Sequence, residues 1–204
     1  MALFILKKVK FKDIIQYPDI EIPEKITTFI CGESGSGKST LLKLLNGVLS
    51  STDGEISYRG KNINDYNPII LRRNILLIGQ SVYLFDKSIK ENFNEYYAYR
   101  DMQVISEKKM KEYLALCSVG LPLDSMCDVL SGGELQRIFI AISISFHPHV
   151  LMIDEPTSAL DEKNANMLIE NVTSYCKTNG TTLIVVSHDR VIADRYADNI
   201  IALS

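Results

Sequence analysis

The sequence predicts an α/β fold: a mostly parallel sheet flanked by helices, with an N-terminal antiparallel β subdomain and an inserted helical subdomain. Three observations carry that prediction. Short, continuously apolar runs rich in β-branched residues, Ile26–Cys31, Asn74–Ile78, Val150–Ile153 and Thr182–Val186, read as strands covered on both faces. Helical stretches alternate with them at Lys38–Leu49, Gly132–Phe146 and Ala165–Asn179. Period-2 alternation with flanking glycines marks a second β element at Phe4–Phe11 and Gly54–Gly60.

Each element has a local reason. The helix at Lys38 follows a Gly-rich turn, and the one at Gly132 follows a Ser-Gly-Gly segment. The one from Ala165 stops at Gly180, a residue suited to the left-handed position after a helix. The stretch from about Asp86 to Val129 is more polar and helix-like, and reads as the inserted helical subdomain, running on to about residue 135. Asn199–Leu203 is a last strand-like run. No repeat, low-complexity run or linker divides the 204 residues, so residues 1–204 are expected to form a single domain.

Composition excludes several classes. A hydrophobic share of 46% with 8% aromatics supports a buried core and excludes wholesale disorder. The 22 Lys+Arg and 25 Asp+Glu are interspersed and leave a net charge of −3, so no nucleic-acid partner held by a broad basic face is expected. The longest apolar stretches, such as Ile138–Ile142, fall far short of the ~20 residues that cross a bilayer, and no transmembrane helix is expected. At the N-terminus apolar residues precede the lysines, the reverse of a secretory signal. Cys31, Cys117, Cys127 and Cys176 show no metal-ligand spacing and read as reduced, mostly buried thiols. His147 and His149 read as loop residues.

Two motifs carry chemistry directly. Gly32, Glu33, Ser34, Gly35, Ser36, Gly37, Lys38, Ser39 and Thr40 match G-x-x-x-x-G-K-[ST], between a buried strand and a helix. In such a P-loop the backbone N–H groups turn inward as an anion nest and the helix adds its positive end. Lys38 would lie against the β and γ phosphates, and the Ser39 hydroxyl would ligate Mg2+. The core is thus expected to be that of a P-loop NTPase, which leaves kinase, GTPase and motor all open. In Val150–Glu155, Asp154 ends an apolar strand as a Walker-B aspartate does, in support of Mg2+. Glu155 would point into the same site as a carboxylate able to orient and polarise an attacking water.

A third motif, Leu130 to Arg137 (LSGGELQR), opens a helix shortly before Val150. With it the chain resembles the nucleotide-binding subunits of ATP-binding cassette (ABC) transporters. Ser131, Gly132, Gly133 and Glu134 stand where that family has its signature, with Glu134 in place of the commoner glutamine. The resemblance covers essentially the whole chain. It makes Gln80 the Q-loop glutamine, expected to touch Mg2+ or the attacking water and to couple the site to a membrane partner. Leu84–Asn92 resembles that loop's continuation. Ser158–Asp161 matches the D-loop, bringing Asp161 to the nucleotide, and His188 matches the switch histidine, a polar contact to the γ-phosphate and to Glu155.

Ser131 suits the N-cap, and Gly132 and Gly133 are expected to leave the helix N-terminus bare, a second anion site. The family's use for it is a head-to-tail dimer: the P-loop of one copy and Ser131–Glu134 of the other clasp one ATP. The partner implied is a second copy or a paralogous cassette, and hydrolysis releases the clasp. The family also stacks adenine on an aromatic upstream of the P-loop; Phe11 is favoured for this, while Tyr17 could equally be a core residue.

The implied function is an ATPase, cytoplasmic and peripheral on the cytoplasmic face of the membrane, that drives transport through separately encoded transmembrane subunits. ATP and Mg2+ are its expected cofactors, and Lys38, Gln80, Glu155 and His188 its catalytic residues. The alternative is a soluble single-cassette ATPase acting in macromolecular assembly or repair. A small-metabolite kinase shares Gly32–Thr40 but leaves Ser131–Glu134 and Ser158–Asp161 without a use.

Overall fold

A computed structural model describes residues 1–12, 14–158 and 160–203. Strands β1 (Ala2–Phe11), β2 (Ile15–Gln16) and β3 (Ile20–Pro23) lead to β4 (Thr27–Gly32) and helix α1 (Lys38–Leu45). Strands β5 (Asp53–Tyr58) and β6 (Lys61–Asn62) come next, followed by α2 (Pro68–Asn74) and β7 (Ile75–Ile78). Helices α3 (Ile89–Tyr99), α4 (Glu107–Leu116) and α5 (Gly132–Ser145) precede β8 (Val150–Asp154). Then come α6 (Glu162–Asn179), β9 (Thr182–Val186), α7 (Arg190–Tyr196) and β10 (Asn199–Leu203).

The strands form two sheets. In the antiparallel sheet β1 pairs with β2, β3 and β5, and β5 pairs with β6. The other sheet is parallel throughout, in the order β10-β4-β9-β8-β7. The expected α/β architecture, antiparallel at the N-terminus and parallel at the centre, is present.

Every residue of β8 and β9 is buried. Because successive side chains point to opposite faces, an unbroken apolar strand feeds two cores at once. Leu151, Ile153, Leu183 and Val185 join α3, α4, α5 and α6 in one core. Val150, Met152, Ile184 and Val186 join α1 and the antiparallel sheet in the other. Phe93, Tyr97, Met110 and Leu114 of α3 and α4 are buried within the first core.

Several boundaries differ from the sequence reading. Helix α1 stops at Leu45 rather than Leu49, because Asn46 caps it and Gly47 follows at φ 67°, turning the Val48 N–H back to the Lys43 carbonyl. Helix α6 starts at Glu162 rather than Ala165, since the Asp161 side chain accepts from the Asn164 N–H at 3.0 Å. Two short helices, α2 and α7, were not expected. Their caps, Asn67 with Pro68 behind it and Asp189, were readable signals.

All four cysteines are buried free thiols. Burial pushes the Cys117 and Cys176 thiols well above the ordinary value, Cys176 to about 12, which keeps both protonated and unreactive. Among the described residues no helix is long and apolar enough to cross a membrane.

Candidate functional site

In a parallel sheet every strand presents its carboxyl end on the same edge, where loops gather to bind ligands. The register here aligns four such ends: Ile78 of β7 stands beside Ile153 of β8, Asp154 beside Val186 of β9, and Val186 beside Ile30 of β4. The residues that leave those ends, Gln80, Asp154 with Glu155, His188 and the P-loop, are therefore brought together from positions more than a hundred residues apart.

The P-loop links β4 to α1 with Gly35 and Gly37 both at φ 88°, a left-handed geometry that costs side-chain-bearing residues about 1 kcal/mol or more. Gly37 is the N-cap of α1 and offers no side chain to it. The first intrahelical bond runs from the Leu41 N–H to the Gly37 carbonyl at 2.8 Å. The N–H groups of Lys38, Ser39 and Thr40 thus precede the helix ladder and are offered outward, an anion nest at the positive end of a helix. The Lys38 ammonium donates to the carbonyls of Gly32 at 2.8 Å and Glu33 at 2.7 Å, so it already lies across the loop.

A cavity of about 460 Å³ opens over this loop. Of the expected residues, Ser34, Gly35, Gly37, Lys38, Ser39, Thr40, Gln80, Glu155 and His188 line it. Gly32 and Glu33 contribute instead the carbonyls that hold Lys38. The Ser36 hydroxyl is buried without a hydrogen-bond partner.

Asp154 is 5% exposed and its Oδ1 has no partner at all. A buried carboxylate oxygen left unpaired is costly unless a cation takes it up. With the Ser39 hydroxyl and Gln80 amide at the adjoining cavity, the donors are all hard oxygens, the set that Mg2+ prefers.

Glu155 leaves β8 at φ 53°, a left-handed backbone uncommon for a residue with a side chain. Its N–H still donates to the Val186 carbonyl at 3.0 Å, so the ladder to β9 holds while the chain turns. The turn sets Glu155 Oε2 at 2.7 Å from His188 Nδ1, with the carboxylate side chain 10% exposed and the imidazole 68% exposed. An ionised carboxylate only accepts, so in this contact His188 Nδ1 is the donor, and His188 also lines the cavity. Ser158 donates its hydroxyl to the Glu155 carbonyl at 3.2 Å.

The remaining expected residues lie elsewhere. Ser131 caps α5 as expected, and Gly132 and Gly133 follow at the first two positions of the helix, ahead of a backbone ladder that opens with the Leu135 N–H on the Ser131 carbonyl. Glu134 turns back so that its Oε2 accepts from the Ser131 N–H at 2.9 Å and the Ser131 hydroxyl at 2.6 Å. The Ser131 hydroxyl and backbone N–H hold the Glu134 carboxyl below the usual carboxylate range. Ser131, Gly132, Gly133 and Glu134 do not line the P-loop cavity of their own chain, nor does Asp161, which caps α6. Ala159, within the expected D-loop, lies outside the described residues.

Phe11, the aromatic favoured for the adenine, is half-buried against the second core with the Lys12 ammonium 5.4 Å from its ring centre. The cavity wall on that side is Ile15, which the sequence reading missed. Nothing local marks Ile15; only the pairing of Ile15 with Phe11 across β2 and β1 places it there. Tyr17 is a core residue, 3% exposed, whose hydroxyl donates to the Gly37 carbonyl at 2.9 Å.

Residues 15–158 match the ABC transporter family, which is more than half of the chain. The chain is 32% identical over 195 residues to the methionine import ATP-binding protein MetN of Protochlamydia amoebophila, covering 91% of this chain and 56% of that protein's length. Among solved structures it is similar to cbiO1 of Clostridium perfringens, described as part of the ABC transporter complex cbiONQ. The TM-score is 0.85 and the identity 26%, over 100% of this chain and 85% of that one. It is also similar to the ATP-binding cassette MJ0796, solved as a dimer in a post-hydrolysis state with ADP and Pi. There the TM-score is 0.83 and the identity 26%, over 98% of this chain and 94% of that one. With the P-loop, the paired Asp154 and Glu155, and the signature helix in this one fold, the chain belongs to the ABC transporter family, as one of its ATP-binding, ATP-hydrolysing cassettes.

Proposed function

We propose that this cassette works as one half of a head-to-tail dimer that closes on two ATP molecules and powers transport through separate membrane subunits. The observation that carries the reading is the convergence of the P-loop, Asp154, Glu155 and His188 on one sheet edge, with Glu155 and His188 in contact at 2.7 Å. The dimeric form in which MJ0796 was solved, and the description of cbiO1 as part of a transporter complex, support it.

In this reading the N–H groups opening α1 and the Lys38 ammonium grip the β and γ phosphates. Ser39, Asp154 and Gln80 would hold Mg2+, which when bound neutralises charge on the phosphate oxygens. Glu155 orients a water for in-line attack on the γ-phosphorus and draws off its proton. His188, anchored to Glu155 through Nδ1, faces the γ-phosphate. Ser131 of the opposite copy completes the site, which explains why Ser131–Glu134 stands apart from the P-loop of its own chain.

The membrane subunit docks beside the Q-loop. Tyr83 and Tyr99 are 65% and 68% exposed, and Phe85 lies between them with ring centres 5.1 and 6.0 Å away. A cluster of exposed aromatics just after Gln80 is suited to an apolar partner segment, and it ties that partner to the catalytic edge. Such a cassette would sit on the cytoplasmic face of the membrane.

Glu155→Gln tests the core of this reading. The variant retains ATP, loses turnover and accumulates as a dimer in Mg-ATP, read by light scattering and phosphate release. Hydrolysis at the native rate removes Glu155 from its role. Recovery of a stoichiometric polytopic protein with this variant from detergent-solubilised membranes supports transport, and recovery of soluble partners alone removes it.

A further inference from the structure

Tyr17 takes no part in gripping phosphate or orienting water, yet its hydroxyl is built into the P-loop. Its ring is 3% exposed, packed in the core that the antiparallel sheet shares with α1. Its backbone N–H donates to the Val9 carbonyl at 2.9 Å, which ties it to β1. From there the hydroxyl donates to the Gly37 carbonyl at 2.9 Å, across 20 residues of sequence. Burial pushes the phenol up to about 12, so it remains a donor.

The acceptor matters more than the bond. Gly37 sits at φ 88°, ψ 11°, and its carbonyl also takes the Leu41 N–H at 2.8 Å. A trans peptide is planar, with the carbonyl of one residue and the N–H of the next on opposite sides. Two donors on the Gly37 oxygen therefore fix the direction of the Lys38 N–H, the first group of the anion nest. The space behind the loop is closed as well: a Cβ on Gly37 would stand 2.9 Å from Tyr17 Oη and 3.0 Å from Ile15 Cδ1.

We infer that Tyr17 is a positioning residue for nucleotide binding: through the Gly37 carbonyl it locks the Gly37–Lys38 peptide and aims the Lys38 N–H at the bound phosphates. The antiparallel sheet thereby sets the affinity of a loop that belongs to the parallel one. This rests on the ATP reading of the P-loop.

Tyr17→Phe keeps the ring and its packing and removes only the donor. Its Kd for ATP and for ADP rises by about three- to tenfold, the effect of one neutral hydrogen bond. At saturating Mg-ATP kcat is unchanged, and amide exchange at Lys38–Leu41 quickens. Tyr66→Phe serves as the control, since it deletes a hydroxyl that donates to the Tyr58 carbonyl at 2.8 Å in the same core without touching the P-loop. That control loses thermal stability and keeps its nucleotide affinity. Unchanged ATP affinity in Tyr17→Phe, an equal loss in Tyr66→Phe, or a fall in kcat with Kd constant overturns the assignment. A wild-type chain that binds neither ATP nor ADP overturns the ATP reading instead.

Discussion

Lys38 is a cation only 8% exposed, held by two carbonyls of its own loop. Charge-assisted contacts of this kind are the costly ones to lose, so Lys38→Ala weakens ATP binding by about 2–4 kcal/mol, measured by calorimetry. Glu155, the proposed catalytic carboxylate, shows the converse, a left-handed backbone of φ 53° at the residue whose carboxylate meets His188. Lys38, Ser39 and Glu155 were legible in the sequence because a tight loop or a strand end fixes geometry within a few residues. The aromatics were not. Phe11 and Tyr17 both precede the P-loop, and which of them packs into the core follows from β1–β2 pairing rather than from local spacing.

The ends of elements, more than their middles, place the chemistry. Helix α1 begins at a glycine with no cap, which leaves its N–H groups for a ligand, whereas α5 begins with a Ser131–Glu134 box that satisfies the N–H groups of those two residues and leaves those of Gly132 and Gly133 ahead of the helix ladder. Sequence reading put Ser131 at the cap, but not the fold-back of the Glu134 side chain onto it, which depends on a rotamer. Gly180 isolates the cost of an element end. It stands at φ 68° after α6 with nothing within 4 Å of an added Cβ, so Gly180→Ala meets a backbone penalty and no clash. The expected loss is about 1 kcal/mol. That corresponds to a fall of about 2–4 °C in Tm by calorimetry for a chain of this size. ATP hydrolysis at room temperature stays unchanged.

At the scale of the whole molecule, the P-loop cavity gathers residues from the segments that follow β4, β7, β8 and β9, while Ser131 at the start of α5 does not line it. A site completed by a second copy makes specific activity rise with protein concentration. Ser131→Arg leaves the ATP affinity of the single chain intact and abolishes hydrolysis at every concentration. Specific activity that stays flat on dilution, or full turnover in Ser131→Arg, would exclude a shared site. The apolar runs and their alternation with helices were enough to specify a buried parallel sheet, because burial on both faces demands that pattern from the residues themselves. The P-loop was equally readable, since its glycines and lysine act through consecutive backbone atoms. What could not be read from the chain was the cavity wall at Ile15 and the grip of Tyr17 on Gly37. Each of these joins residues that neighbour one another only once strands far apart in sequence have taken their register.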